Sequence, residues 1–95
     1  MNLMDTTSNL YISKLLKQIA SVYEVLGEDK FKIRAYQNAA SGVEHLTTSA
    51  KVLWEQGNLK EIPGVGASIA SHLDEYFKTG KAKHFDEVRS KVPKG

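Results

Sequence analysis

The chemistry in this chain concentrates in Leu59-Lys60-Glu61-Ile62-Pro63-Gly64-Val65-Gly66-Ala67-Ser68-Ile69-Ala70. Two glycines flank one apolar residue, a pattern that permits a tight hairpin with backbone angles other residues avoid. An amphipathic segment follows, so several backbone N–H groups should point outward at the start of a helix. Such an array takes a phosphate without any basic side chain. The phosphate contacts would come from Gly64, Val65, Gly66, Ala67 and Ser68, with the Val65 side chain plugged into the core as a brace. Two other phosphate loops do not fit. A dinucleotide fingerprint needs a preceding strand and a third glycine, where this chain has Ile69. A Walker A loop needs Gly-Lys-Ser/Thr, which is absent. A helix corner that merely saves space remains the alternative.

Other chemistries are excluded or weakly signalled. There is no cysteine, hence no disulfide, thiolate nucleophile or Cys-bound zinc. The three histidines, His45, His72 and His84, show no metal-ligand spacing, so no structural zinc is expected. Asp74-Glu75 and Asp86-Glu87 are adjacent pairs that should point apart as solvated surface. No Asp-x-Asp pair occurs, which removes the two-metal nucleotidyl-transfer site from this chain. Lys plus Arg number 13 against 11 Asp plus Glu; the net charge of +2 does not by itself announce a nucleic acid.

The elements that must position these residues read as helices. Ile12, Leu15, Leu16, Ile19, Val22, Tyr23 and Leu26 recur at steps of three and four, predicting a helix over about 8–26 that stops at Gly27. A second is expected over 29–46, with Phe31, Ala35, Ala39, Val43 and Leu46 as its apolar stripe, Tyr36 and Ala40 beside it, and Ala39, Ala40 and Gly42 allowing a close helix crossing. Thr47-Thr48-Ser49 caps a short third helix over 50–56, in which one of Val52, Leu53 and Trp54 should reach past the core. A helical turn at 59–61, a helix over 67–78 and a last one over 83–89 complete the chain. The expected core is Leu15, Leu16, Ile19, Val22, Ala35, Ala39, Val43, Val65, Ile69 and Leu73. The fold class is all-α, a compact bundle of four to five short helices in one domain, 1–95. Such a chain buries roughly 60–70% of its unfolded surface, enough for one core but not for an enclosed active site with a lid. No apolar run approaches the ~20 residues that span a bilayer. The N-terminus lacks the pattern of a secretory signal, so a membrane-free, intracellular protein is expected, cytoplasmic (nucleoid-associated) or nuclear.

Two segments carry a family resemblance. Leu59-x-x-Ile62-Pro63-Gly64-Val65-Gly66-x-x-Ile69-Ala70 resembles a helix-hairpin-helix DNA-binding motif, at about 59–78. Phe31-Lys32-Ile33-Arg34-Ala35-Tyr36-Gln37-Asn38-Ala39-Ala40 resembles the corresponding helix of family X DNA polymerases. With Thr79-Gly80-Lys81, these make the chain similar to the N-terminal, 8 kDa or lyase domain of those enzymes from about Ile12 to Arg89. Val92-Pro93-Lys94-Gly95 resembles the connector to their second hairpin motif.

The resemblance implies a monomeric module that grips gapped, nicked or primer-template DNA at the 5′-phosphate side, within a longer polymerase polypeptide serving base excision repair. It implies a monovalent cation, Na or K, held by the backbone carbonyls of Lys60, Ile62 and Val65. It implies that Lys32 and Tyr36 line the 5′-phosphate pocket. By spacing alone Lys32 reads as solvated and Tyr36 as a core-edge aromatic, although their i, i+4 separation puts both on one helix face. Lys60 and Lys81 would add charge. The departures are as informative. In lyase members an attacking lysine stands at the position of His72, a helper lysine at that of Ser68, and a phosphate-binding lysine at that of His84. An imidazole cannot form the imine. His72 can still shuttle a proton or, protonated, contact a phosphate. No catalytic residue is therefore assigned on this chain. The alternatives are an abasic-site lyase using Lys32, Lys60 or Lys81, and a helical protein-interaction module.

Overall fold

Ser8 starts the first helix: its hydroxyl accepts the Tyr11 amide, and Gly27 ends the helix in the left-handed region at φ 71°. Between them α1 (Asn9–Leu26) buries Ile12, Leu15, Leu16, Ile19, Val22 and Tyr23. The structure, a computed structural model, describes residues 5–92. The Pro93-Lys94-Gly95 part of the connector-like ending lies outside the described residues. Asp29 caps α2 (Lys30–Glu44) by accepting the Phe31 amide, and Ser49 caps α3 (Ala50–Glu55) by accepting that of Lys51. A 3₁₀ turn (Leu59–Glu61) leads into the hairpin, followed by α4 (Ala67–Thr79) and α5 (Lys83–Ser90). The expected helices are all present, with ends within two residues of their predicted places. Among the described residues there is no strand, and no helix is long and apolar enough to cross a membrane.

The core gathers around α1, against which α2 and α5 both pack. Nine of the ten expected core residues are buried, and Ala35 is the exception: it is exposed, and its neighbour Tyr36 is buried instead. Phe31, taken as the start of the same stripe, stands 83% exposed. The stripe was drawn in steps of four, and each such step overshoots a full helical turn by about 40°. From Val43 back to Phe31 that drift carries the line off the buried face. The true face, Tyr36, Ala39, Ala40 and Val43, alternates threes and fours. Val52 is the α3 residue that reaches past the core, and Leu26 is exposed at the end of α1.

Side chains tie the short elements together. The Asn9 carboxamide donates to Thr48 O and accepts the Ala50 amide, both at 2.8 Å. The Tyr76 hydroxyl donates to Thr6 O at 2.8 Å. Trp54 stacks on Phe77 and donates its indole N–H to Asp74 Oδ1 at 2.8 Å, which holds the Asp74 carboxyl below the usual carboxylate range. Glu75 Oε2 accepts the Lys83 amide at 3.0 Å, at the start of α5. The pair Asp74-Glu75 is therefore not idle surface, as its spacing suggested: one acid joins α3 to α4, the other α4 to α5.

Candidate nucleic-acid interface

The hairpin is built on backbone-to-backbone contact with α2. Gly64 adopts φ 86°, and a Cβ there would lie 2.5 Å from Asn38 O. A Cβ on Gly42 would overlap Pro63 O. Two glycines on opposite partners thus let the turn rest on the middle of α2; at Gly42 the close partner is the hairpin backbone rather than the crossing helix its small neighbours suggested. Val65 is 5% exposed, and its amide donates to Ile62 O at 3.0 Å, closing the turn. Val65→Ala should cost about 1–2 kcal/mol through the cavity it leaves. A thermal melt unchanged by that substitution would remove Val65 as the brace.

Gly66 is the N-cap of α4, with extended backbone and no side-chain cap. The first N–H groups of a helix have no intrahelical acceptor. Here Gly66, Ala67 and Ser68 are all exposed, so the amides of the first turn face outward with no serine or aspartate oxygen occupying them. The helix dipole adds its positive end at the same place. An open hollow of about 540 Å³ runs beside the turn between Pro63-Gly64 and Asn38, Ser41, Gly42 and His45. His45 itself turns back on α2, its Nδ1 2.8 Å from Ser41 O.

The remaining expected residues do not all converge on the hairpin. Lys60 lines a groove with Trp54, Ala67, Ser71 and Asp74, beside the start of α4. Lys81 lines a separate hollow with Thr6, Tyr11, Asp86 and Arg89. Lys32 is exposed and pairs with Glu28 at 3.4 Å. Tyr36 is 6% exposed; its ring meets Tyr23 and Phe85 edge-on at centroid distances of 5.5 and 6.3 Å, and burial pushes its hydroxyl well above the usual range. Tyr36 therefore supports this face from beneath rather than forming its surface.

Sequence reasoning missed the grouping around His72. Its ring stacks on that of His84, with centroids 4.3 Å apart and planes within 8°. Phe85 stands edge-on to His72 at 5.7 Å, and the Tyr23 hydroxyl lies 2.8 Å from His84 Nε2. Burial, then the neighbouring His84, lowers the proton affinity of His72. Tyr23 was read only as core. The one signal available was that His72 and His84 both stand at positions where the resemblance expects lysines. Among the described residues no three His, Asp or Glu side chains group to hold a metal.

Comparison with known proteins agrees with this geometry. The profile described as a helix-hairpin-helix domain matches residues 7–82. The chain is 31% identical over 84 residues to the DNA polymerase/3′-5′ exonuclease PolX of Bacillus subtilis (strain 168), covering 88% of this chain and 14% of that protein. It is 30% identical over 88 residues to DNA polymerase lambda of Rattus norvegicus, covering 93% of this chain and 15% of that one. Against DNA polymerase lambda of Arabidopsis thaliana it is 28% identical over 81 residues, 82% of this chain and 15% of the other. The chain thus spans about one-seventh of the length of the curated relatives it matches. With the profile covering most of its length and the hairpin in place, the chain belongs to the helix-hairpin-helix domain family, in the form found as the N-terminal domain of family X DNA polymerases.

Proposed function

We propose that this chain is a DNA-binding module that grips gapped or nicked DNA at the 5′-phosphate side, as part of a longer family X polymerase acting in repair. The observation that carries it is the uncapped, exposed amide turn at Gly66, Ala67 and Ser68, held on α2 by the two glycine contacts. Backbone amides on a rigid support bind a phosphate without sequence preference, which suits a protein that must recognise a DNA end rather than a base sequence. The relatives bear polymerase names, and the polymerase active site would lie on another part of the polypeptide. The module works inside the cell and as a monomer on this reading.

The hairpin carbonyls are chemically suited to a monovalent cation. Ile62 O already accepts the Val65 amide, whereas Lys60 O and Val65 O enter no turn, loop or cap hydrogen bond with the backbone among the described residues. Lys60, Ile62 and Val65 would supply these oxygens, and a cation held there would link neutral carbonyls to a DNA phosphate. Lys32, Lys60 and Lys81 add screened attraction from three separate places rather than one basic patch.

The direct test deletes one amide. Proline is tolerated at the first position of a helix, and the extended Gly66 before it suits a following proline. Ala67→Pro should therefore leave the melting temperature near that of the parent. It should weaken binding to a 5′-phosphorylated gapped duplex about tenfold or more, since a hydrogen bond to a charged group contributes about 1.5–3 kcal/mol. For the parent, about three neutralised phosphates give a log affinity against log salt slope near ~−2.7. Unchanged affinity in a folded Ala67→Pro protein would discard the amide grip. Failure of the parent to bind at low salt would discard the DNA-binding reading itself.

A further inference from the structure

The amide turn makes no use of the groove that Lys60 shares with Trp54. The groove holds about 250 Å³ between α3, the 3₁₀ turn and α4, over the buried Leu59 and Ala70. That is room for one or two side chains rather than for a cofactor. Trp54 forms one wall. Phe77 stacks on the indole at a centroid distance of 5.4 Å and takes no part in the groove, which meets the ring from its other side. Asp74 stands at the indole edge, where its Oδ1 accepts the Nε1–H at 2.8 Å. That bond lowers the proton affinity of the carboxyl and fixes its direction. The second oxygen pairs with Lys78 at 3.4 Å, an exposed i, i+4 contact that contributes little and is readily exchanged.

The groove carries opposite charges at its two ends. Asp74 marks the negative end. Lys60, by the start of α4, marks the positive one, and its ammonium pairs with no carboxylate among the described residues. From Ala67 to Asp74 the helix rises about 10 Å, a span that an extended segment covers in three residues. A cation with an apolar stem and a flat head fits the negative end. Its stem would lie on Leu59 and Ala70, its head against the indole face, and its N–H groups would meet the Asp74 carboxylate. A guanidinium suits this better than an ammonium, because it is planar and more weakly hydrated. A nucleobase would also stack on the ring, but it brings phosphates that Asp74 and Glu75 repel.

We propose that the Trp54–Asp74 groove docks an arginine side chain of a partner protein, carried on an extended segment that places an acidic residue three positions away, at Lys60. The arginine supplies the specificity, since its charge, planarity and apolar stem are each matched by a separate part of the groove. The acid sets the register. This inference does not rest on the DNA-binding reading. Lys60 is the one side chain both use, so a docked segment withdraws one screened charge from the DNA and leaves the amide turn open.

Trp54 is the one tryptophan of the chain, so its fluorescence reports on this groove alone. The probes are the capped tetrapeptides Glu-Leu-Ala-Arg and Arg-Ala-Leu-Glu, which cover both chain directions. Each is also made with citrulline, the neutral isostere, for arginine, and with glutamine for glutamate. An arginine peptide should shift the Trp54 emission saturably, and citrulline should weaken its binding about tenfold, the loss expected of a bond to a charged group. Asp74→Asn keeps an oxygen for the indole N–H and removes the charge. It should melt near the parent and erase the preference for arginine over citrulline. Lys60→Gln should cost about two- to threefold, and only for peptides that carry the glutamate. Equal binding of arginine and citrulline peptides overturns the inference, as does a preference that survives in Asp74→Asn. So does an emission unmoved by every peptide, or moved only by a single-stranded oligothymidylate. The hairpin grip stands or falls separately, in the gapped-duplex assay.

Discussion

Gly42→Ala should lower the melting temperature of the domain by about 10–20 °C. In an isolated helix the same change would stabilise, by up to about 1 kcal/mol, because alanine loses less backbone entropy than glycine. The sign reverses here because the added methyl has no room. It would overlap Pro63 O, and that oxygen belongs to the backbone of a turn clamped by Val65 beneath and by Gly64 against Asn38 O. Neither α2 nor the hairpin can yield alone. Forcing a methyl into a packed contact costs about 1–3 kcal/mol, and each kcal/mol moves the midpoint of a domain this size by about 4–8 °C. Gly66→Ala is the control: its backbone is extended and a Cβ there meets nothing within 4 Å, so it should melt near the parent. A Gly42→Ala protein that melts at or above the parent temperature would mean that the hairpin does not sit on α2 in solution.

His72→Lys should raise borohydride trapping on abasic DNA well above that of the unsubstituted chain, which is expected to trap little. Condensation with the aldehyde of a 5′-deoxyribose phosphate needs an unprotonated primary amine. The lysines at 32, 60 and 81 are exposed, and Lys32 pairs with Glu28, so none of them stands in the desolvated setting that activates an attacking amine. A lysine at position 72 would instead stand half-buried beside Phe85 and His84, where desolvation disfavours the ammonium and releases the nucleophile. Ser68→Lys, one turn earlier on α4, should strengthen the effect. Borohydride trapping of a covalent adduct is the measurement. Efficient trapping by the unsubstituted chain would show that another lysine attacks, and no gain in the folded variant would show that the sugar does not reach this face.

The helices were legible because their ends carry local chemistry: Ser8, Asp29 and Ser49 each cap through a side-chain oxygen, and Gly27 and Gly80 adopt left-handed angles. The hairpin was legible for the same reason, since Gly64 and Gly66 flank a buried Val65. The buried face of α2 was not, because its small apolar residues fit two stripes that diverge by less than a turn, and only the aromatic ring of Tyr36 meeting Tyr23 and Phe85 chooses between them. The histidine stack was hidden from any local pattern. His72 and His84 stand on different helices, and their meeting depends on how Thr79-Gly80 turns the chain and on Glu75 holding the Lys83 amide.

The carboxamide of Asn9 reaches from the first turn of α1 to the end of the loop that enters α3, giving its nitrogen to Thr48 O and its oxygen to the Ala50 amide. Helix ends fray more readily than helix middles. Yet the Ala50 amide can meet solvent only when Asn9 lets go, so fraying at the start of α1 and opening of a loop some forty residues later are one event. Hydrogen exchange at Ala50 is thereby a remote gauge of order at the amino-terminal turn. A disturbance of that turn therefore reaches the base of α3 through one side chain, as it reaches α4 through the Tyr76 hydroxyl on Thr6 O.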